Sequence, residues 1–438
     1  ACCHLIRKDA WGNPLVFPSG TYMMTAGQDR RDTGSHYTPK LLTEAIVKET
    51  LEPLVYEGPA VGKTRGEWQL KSSAALLNLK VCEPAMGSGS FLVQVCRWLG
   101  DRVVEAWHQE EIDGAVIDVD GEHHETGAAV EPLPRATEER IIIARRLVAE
   151  RCIYGIDINP LAVELAKLSV WLVTLAKERP FGFLDHNLRW GDCLLGIHSL
   201  DQLAELHPNP SQGESVHGGL FDYRSRVKAA VDSTLDKRRQ IRSHRVRDIG
   251  DIQEMSRLNE SAQDELAVCH RIADVMMGEA LANPDRIDNS MVALGVEASE
   301  ALSGDQSAIN SMITKARQTL SVDQAESKPP RSPFHWPLEY PEVFEAGGFD
   351  AIVGNPPYLG GSRITGALGT RYRDYLVNYI ACGTRGSADL VAYFFLHCHS
   401  LLSTGGIYGL LGVNTIAEGD TRTVGLEQLL SQRDAKIV

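Results

Sequence analysis

Short apolar segments that end at a polar or glycine residue alternate with helical segments along this chain, and this alternation constrains the fold most. "LNLKVCEP" (77–84) and "CIYGIDI" (152–158) have the character of strands, and each is followed by a segment with apolar residues at helical spacing. Further candidate strands lie in "NLRWGDCLLG" (187–196), "GGFDAIVGNPPY" (347–358) and "GIYGLLG" (406–412). Alternating strands and helices predict an α/β protein with a mainly parallel sheet and helices on both faces.

The length of 438 residues predicts more than one compact unit, because domains usually run about 100–200 residues. We expect an irregular N-terminal segment over 1–35 and the first part of an α/β core over 36–199. Residues 200–335 are mostly polar with helical stretches, which predicts a helical insertion. Residues 336–438 resume the strand–helix alternation and form the second part of the core.

Composition limits the possible function classes. The net charge of −14 argues against a uniformly basic nucleic-acid binder, although a local basic groove remains compatible with it. Nine cysteines without a CxxC pair fit a reducing cytoplasm and make a zinc finger or redox motif a weak interpretation. The chain has no run of about 18 apolar residues, so we expect no membrane span. No segment of it reads as a secretory signal, and we expect none.

The first informative motif is "CEPAMGSGSFL" at 82–92, a strand end followed by a glycine-rich loop and a helix. Gly87 and Gly89 permit backbone angles and close approaches that side chains block. Free backbone N–H groups at such a junction can bind a nucleotide-like ligand. A simple strand–helix turn is the alternative, since the motif lacks both the GxGxxG and the Walker A pattern.

Acids follow the next two candidate strands. Asp157 in "GIDINP" lies where ribose-binding acids lie in such sheets, although it could instead cap the helix that begins near Pro160. Asp192 in "WGDCLLG" follows the third candidate strand. Together with Glu83, these acids predict one crevice at the carboxyl edge of the sheet.

"NPPY" at 355–358 follows the fourth candidate strand. Asn355 offers an acceptor and a donor, and Pro356 and Pro357 restrict the backbone of the turn. Tyr358 provides a planar ring for stacking, an interaction worth roughly 1–3 kcal/mol per base in nucleic-acid complexes. The turn is therefore suited to binding a flat ring that carries an amino group. A purely structural turn is the alternative.

In their order and spacing, "HYTP", "EPAMGSGSFL", "GIDINP", "GDCL" and "NPPY" resemble the motifs of S-adenosylmethionine-dependent DNA adenine-N6 methyltransferases. The similarity is to the large enzymes of single-chain restriction-modification systems and of BREX and DISARM phage defence. It covers roughly residues 31–198 and 345–430, and it implies a Rossmann-like methyltransferase fold. Such enzymes normally carry a target-recognition domain, and we expect none within this chain.

The resemblance also implies roles for individual residues. The cofactor-binding positions are Tyr37, Thr38, Pro39, Glu83, Pro84, Ala85, Gly87, Gly89, Asp157, Ile158 and Asp192. Among them, Asp157 would bind the ribose hydroxyls, Ile158 would pack on the adenine, and Asp192 would reach the adenine amino group. At the position that Glu83 matches, the family more often has Asp. The catalytic positions are Asn355, Pro356, Pro357 and Tyr358.

The implied reaction is direct methyl transfer from S-adenosylmethionine to N6 of an adenine flipped out of double-stranded DNA. The mark would label host DNA as self, with other defence proteins as possible partners, and no metal is required. Two other classes stay open. One is a methyltransferase acting on protein glutamine or RNA guanine-N2, and the other is a non-catalytic cofactor-binding DNA scaffold.

Two segments each have two possible roles. Residues 224–247 are rich in Lys and Arg, and they could contact DNA phosphates or pair with acids elsewhere in the chain. Residues 360–375, "GGSRITGALGTRYRDY", could form a mobile loop over a flipped base or a simple connector.

Overall fold

The computed structural model describes residues 38–437 apart from 60–61, 126–130, 176–181, 218–222, 245, 247 and 434. The predicted irregular segment 1–35 and the candidate residue Tyr37 therefore lie outside the described residues. Among the described helices, none combines the length and the apolar character needed to cross a bilayer.

A five-stranded sheet forms the centre of the protein. Its strands are β1 (Val81–Glu83), β2 (Ile153–Asp157), β3 (Leu188–Trp190), β4 (Phe349–Gly354) and β5 (Leu402–Leu410). Their order across the sheet is β3-β2-β1-β4-β5, and every neighbouring pair is parallel. The chain runs outward from β1 to β3 and then returns to the other side of β1 with β4. This order confirms the predicted α/β, Rossmann-like class.

Helices cover one face of the sheet, where Val81, Ile153, Ala351 and Val353 are buried. The helices on this face are Lys40–Val55, Ser90–Ile112, Thr137–Arg151 and Pro160–Thr174. The connection before Thr137–Arg151 contains a short antiparallel ribbon of Val116–Ile117 with His123–His124. Because the sheet is parallel and its strands are apolar on both sides, the opposite face needs a cover as well.

Residues 200–335 contribute side chains to the buried cluster on that second face. They form the helices Leu200–Ala204, Pro210–His217, Tyr223–Ser243, Ile249–Ala282, Ile287–Leu302 and Gln306–Leu320, and no strand among the described residues. Side chains of Cys82, Tyr154, Ile156 and Ile352 point to this face, because successive residues of a strand point to opposite sides. They share one buried cluster with side chains of Tyr223–Ser243 and of later helices. The predicted boundaries at 200 and 335 remain predictions, but the helical segment and the sheet have a core in common.

After β4, the chain forms the helices Gly361–Leu368, Thr370–Tyr375 and Leu390–Ser400. The last of these packs on β5 and contributes to the same buried cluster.

Candidate active site

Four polar residues follow four neighbouring strands at the same edge of the sheet. Glu83 ends β1, Asp157 ends β2, Asp192 lies two residues beyond β3, and Asn355 follows β4 directly. Because all these strands are parallel, their carboxyl ends meet at one edge, where open α/β sheets bind ligands. The sheet order places the glycine-rich loop after β1 between the ends of β2 and β4.

The two loop glycines have different surroundings. Both have positive φ angles, +53° for Gly87 and +78° for Gly89. A Cβ atom built on Gly87 meets no atom of the described residues within 4 Å, so this glycine faces open space. A Cβ atom on Gly89 would lie 3.1 Å from Cβ of Ala166 in the helix Pro160–Thr174. Gly87 therefore leaves room for a ligand, whereas Gly89 allows two helices to pack closely.

Asp157 is tied to the glycine-rich loop. Its carboxylate accepts hydrogen bonds from the N–H groups of Gly87 (2.8 Å) and Asn159 (2.8 Å). Burial raises the pKa of Asp157, and these two N–H groups oppose the shift. The helix that begins at Pro160 is capped by Asn159, whose side chain accepts from the N–H of Leu161 at 3.0 Å. The alternative role of Asp157 as that helix cap is therefore wrong.

Ile158, the residue next to Asp157, is 62% exposed. Its apolar side chain therefore lies at the surface.

Glu83 is a buried carboxyl group at the centre of the edge, with an exposed fraction of 2%. Among the described residues its Oε2 atom has no hydrogen-bond partner. Burial holds the pKa of Glu83 well above its usual range, the Leu92 N–H opposes this, and the charge of Asp157 adds to it. Such an unsatisfied acceptor is costly unless a donor or a cation reaches it.

The loops after β1 and β4 adjoin each other. A Cβ atom built on Gly354 would lie 3.5 Å from Cγ of Glu83 and 3.8 Å from Cδ of Pro84. Pro84 is buried, and Ala85 is half-buried against the core cluster beneath the loop. The "NPPY" turn therefore begins directly beside the glycine-rich loop.

Within that turn, hydrogen bonds engage both ends of the Asn355 amide. Its Nδ2 donates to Oγ1 of Thr38 at 3.1 Å, and the Tyr358 hydroxyl lies at hydrogen-bond distance from its Oδ1. The same hydroxyl also lies 3.0 Å from the carbonyl of Leu411. Thr38 is buried, so the segment before the helix Lys40–Val55 reaches the turn. Burial, with a contribution from Asp389, raises the pKa of Tyr358 to about 12.

The two prolines of the turn and Pro39 have simpler surroundings. Pro356 is buried, Pro357 is half-buried, and Pro39 precedes the helix Lys40–Val55 as its N-cap residue.

Asp389 supports the turn from behind and was not predicted from the sequence. Its Oδ1 accepts from the N–H groups of Leu359 (3.2 Å) and Val391 (3.1 Å). The N–H of Leu390 in turn donates to the carbonyl of Leu359 at 2.9 Å. The signal was present, because an Asp before the apolar run "LVAYFF" is a typical N-cap.

Asp192 is buried, and several donors surround it. The Tyr372 hydroxyl lies 2.9 Å from Oδ1 and 2.8 Å from Oδ2, and the N–H groups of Leu194 and Leu195 donate to Oδ1. Burial raises the pKa of Asp192, and these donors oppose the shift. Tyr372 belongs to residues 360–375, which form two helices instead of the mobile loop considered above.

The basic helix Tyr223–Ser243 makes many internal contacts. Lys237 pairs with Glu265 at 2.6 Å, Arg239 with Glu345 at 2.8 Å, and the buried Arg238 with Glu342 at 3.1 Å. For these three residues the structure favours pairing with acids over contact with DNA. Among the described residues, no group of three or more His, Cys, Asp or Glu is placed to bind a metal.

The chain belongs to the Eco57I restriction-modification methylase family, which it matches over residues 151–435, more than half of its length. This family match and the α/β fold define the class of the chain as a member of the restriction-modification methylases with a Rossmann-like fold.

Among individual proteins, the chain is similar to one from Methanocaldococcus jannaschii. That protein is named as a candidate type II restriction enzyme and methyltransferase, RM.MjaORFECS2P. The two are 22% identical over 382 residues, which make up 76% of this chain and 28% of the relative. The chain therefore spans little more than a quarter of the length of this relative.

Proposed function

We propose that the chain transfers a methyl group from S-adenosylmethionine to N6 of adenine in double-stranded DNA, and that it reaches the adenine by base flipping. The biological setting would be restriction-modification or phage defence, with further defence proteins as possible partners. The observation that carries the proposal is the contact between the glycine-rich loop and the "NPPY" turn, at Glu83 and Gly354. A methyl donor and an amine acceptor must lie side by side for direct transfer.

The residues at the edge of the sheet fit S-adenosylmethionine. Asp157 would accept from the ribose hydroxyls, Ile158 would cover one face of the adenine, and Asp192 would accept from its amino group. The open space at Gly87 leaves room for the ligand, and the unsatisfied buried Oε2 of Glu83 suits a polar group of the ligand. When bound, S-adenosylmethionine supplies an electrophilic methyl group on a sulfonium centre.

The turn supplies acceptors for the target amine. Oδ1 of Asn355 and the carbonyl of Pro356 would accept hydrogen bonds from N6, which directs electron density to that nitrogen. Because Asn355 Nδ2 donates to Thr38, the other end of the amide, Oδ1, faces away from Thr38. The Tyr358 hydroxyl now lies against Oδ1, so the amino group of a target base would replace it and the ring would turn to stack.

The test is transfer of labelled methyl groups from S-adenosylmethionine to DNA, RNA and protein substrates, with the product base identified by mass spectrometry. We expect N6-methyladenine in DNA, and no signal in RNA guanine or protein glutamine. Asn355→Ala should lower the rate at least about 100-fold, as loss of a group that stabilises developing charge does. It should leave S-adenosylhomocysteine binding unchanged, whereas Asp157→Ala should weaken that binding.

Methylation of RNA or protein alone would move the chain to the alternative transferase class. Cofactor binding without transfer to any of these substrates would identify a scaffold. Sequencing of modified bases in DNA from cells with and without the full-length gene would give the corresponding answer in vivo.

A further inference from the structure

The Asp192 carboxylate is held by donors that belong to separate parts of the chain. Leu194 and Leu195 provide N–H groups from the residues that follow β3, at 3.1 and 3.3 Å from Oδ1. Tyr372 provides a hydroxyl from beyond the "NPPY" turn. Within the described residues, Oδ2 has the Tyr372 hydroxyl as its hydrogen-bond partner. A carboxylate oxygen can accept two hydrogen bonds, so Oδ2 has capacity for another donor.

The Tyr372 side chain is itself fixed in place. It is 3% exposed, and the guanidinium of Arg331 lies 5.6 Å from the centre of its ring. Arg331 donates to the carbonyls of Val322 at 2.6 Å and Leu368 at 2.7 Å, so it joins the end of the helical insertion to the helix Gly361–Leu368. The ring cannot shift without disturbing these contacts. Tyr372 therefore presents its hydroxyl to Asp192 from a rigid support.

We propose that Tyr372 is a positioning residue for cofactor recognition, which holds the Asp192 carboxylate in place to accept from the adenine amino group of the methyl donor. This inference rests on the function proposed above. The hydroxyl limits rotation of the carboxylate, and it adds a donor that stabilises the charged form in a buried site. The charged form accepts at both oxygens, whereas the protonated form turns one of them into a donor, which cannot accept from an amino group.

A structural role for Tyr372 predicts a different result. If the ring serves packing alone, its hydroxyl affects all ligands of the cleft equally. If it positions Asp192, loss of the hydroxyl affects ligands with an amino group at C6 of the purine more than ligands with an oxygen there. The comparison therefore needs two ligands that differ at that atom.

The experiment measures binding of S-adenosylhomocysteine and S-inosylhomocysteine to the full chain by calorimetry. The inosyl compound has a carbonyl oxygen in place of the adenine amino group. We expect Tyr372→Phe to weaken S-adenosylhomocysteine binding about tenfold, as expected for one positioned bond to a charged acceptor. Binding of the inosyl compound should change less than about twofold, because its carbonyl gains nothing from a carboxylate acceptor.

Tyr375→Phe is the matched control. Tyr375 lies on the same helix and is 4% exposed, but its hydroxyl lies 3.8 Å from the sulfur of Met277 instead of Asp192. We expect this variant to leave the ratio of the two affinities at the wild-type value. Thermal unfolding of both variants shows whether either one loosens the fold.

Three outcomes would overturn the inference. If Tyr372→Phe weakened the binding of both ligands equally, the residue would serve packing. The same conclusion would follow if Tyr375→Phe changed the ratio of the two affinities as much as Tyr372→Phe does. Unchanged binding of both ligands would show that the hydroxyl has no role in recognition. If the wild-type chain bound neither ligand, the proposed function itself would fail, and this result is distinct from the others.

Discussion

Substitution of the two loop glycines by alanine should separate packing from ligand binding. Both residues have φ angles in the left-handed region, +53° and +78°. A side chain in that region costs about 1–2 kcal/mol. Gly87→Ala and Gly89→Ala should therefore both lower the free energy of unfolding by at least that amount.

Gly89→Ala carries an additional cost. The new methyl would lie 3.1 Å from Cβ and 3.2 Å from Cα of Ala166, and the backbone atom cannot move aside easily. Overpacking of a buried contact costs about 1–3 kcal/mol, so the total loss should be about 2–5 kcal/mol. The methyl of Gly87→Ala meets open space and adds no such term.

Ligand binding should show the opposite order. The methyl of Gly87→Ala projects into the open space at the loop, where we expect the methyl donor, so S-adenosylhomocysteine should bind about tenfold more weakly, or by about 1.4 kcal/mol. Gly89→Ala should bind with wild-type affinity at a temperature where it is folded. Urea unfolding and calorimetry on the same preparations measure the two effects.

Two results would refute this reasoning. A Gly89→Ala variant as stable as Gly87→Ala would mean that the helices do not approach each other closely at Ala166. Unchanged ligand affinity in Gly87→Ala would mean that the open space at this loop is not where the cofactor binds.

Two further predictions concern charge. The raised pKa of Glu83 means that the native state keeps its proton where the unfolded chain has lost it, so stability falls as the pH rises above about 4.5. Glu83→Gln cannot lose a proton, so its stability should not fall in this way with rising pH. The difference in thermal midpoint between this variant and the wild type should therefore be larger at about pH 8 than at about pH 5. A difference that is the same at both pH values would contradict the raised pKa of Glu83. Arg363 is exposed on the helix after the "NPPY" turn. Arg363→Ala should reduce the slope of DNA affinity against salt concentration by about one, the value for one lost phosphate contact, and fluorescence anisotropy measures this slope. Arg239→Ala should leave that slope unchanged, because Arg239 pairs with Glu345, and equal slopes for the two variants would contradict the difference.

The sequence was sufficient to predict the strands and the edge where the polar residues gather. Each strand is a short apolar run that ends at a polar or glycine residue, and parallel strands bring those ends together. The contact between Gly87 and Asp157 joins residues 70 positions apart, and it follows from β1 and β2 being neighbours.

Other features were beyond sequence reasoning. In the helix Pro160–Thr174, Val163, Ala166 and Val170 are buried, whereas Leu161 and Leu172 are 65% and 61% exposed. Both sets recur at helical spacing, so periodicity alone cannot tell which of them faces the sheet. The hydrogen bond between Tyr372 and Asp192 joins residues 180 positions apart. It depends on how distant parts of the chain pack together, which no local sequence pattern predicts.

The core shared by the sheet and residues 200–335 has a consequence for protein engineering. Removing that segment would leave part of this shared core facing water, so a shortened chain would aggregate instead of keeping the fold. Changes in length are better tolerated at the turn over 303–305, where Gly304 has open space around it. A tag or a fused domain placed there would extend outward and leave the buried surfaces intact.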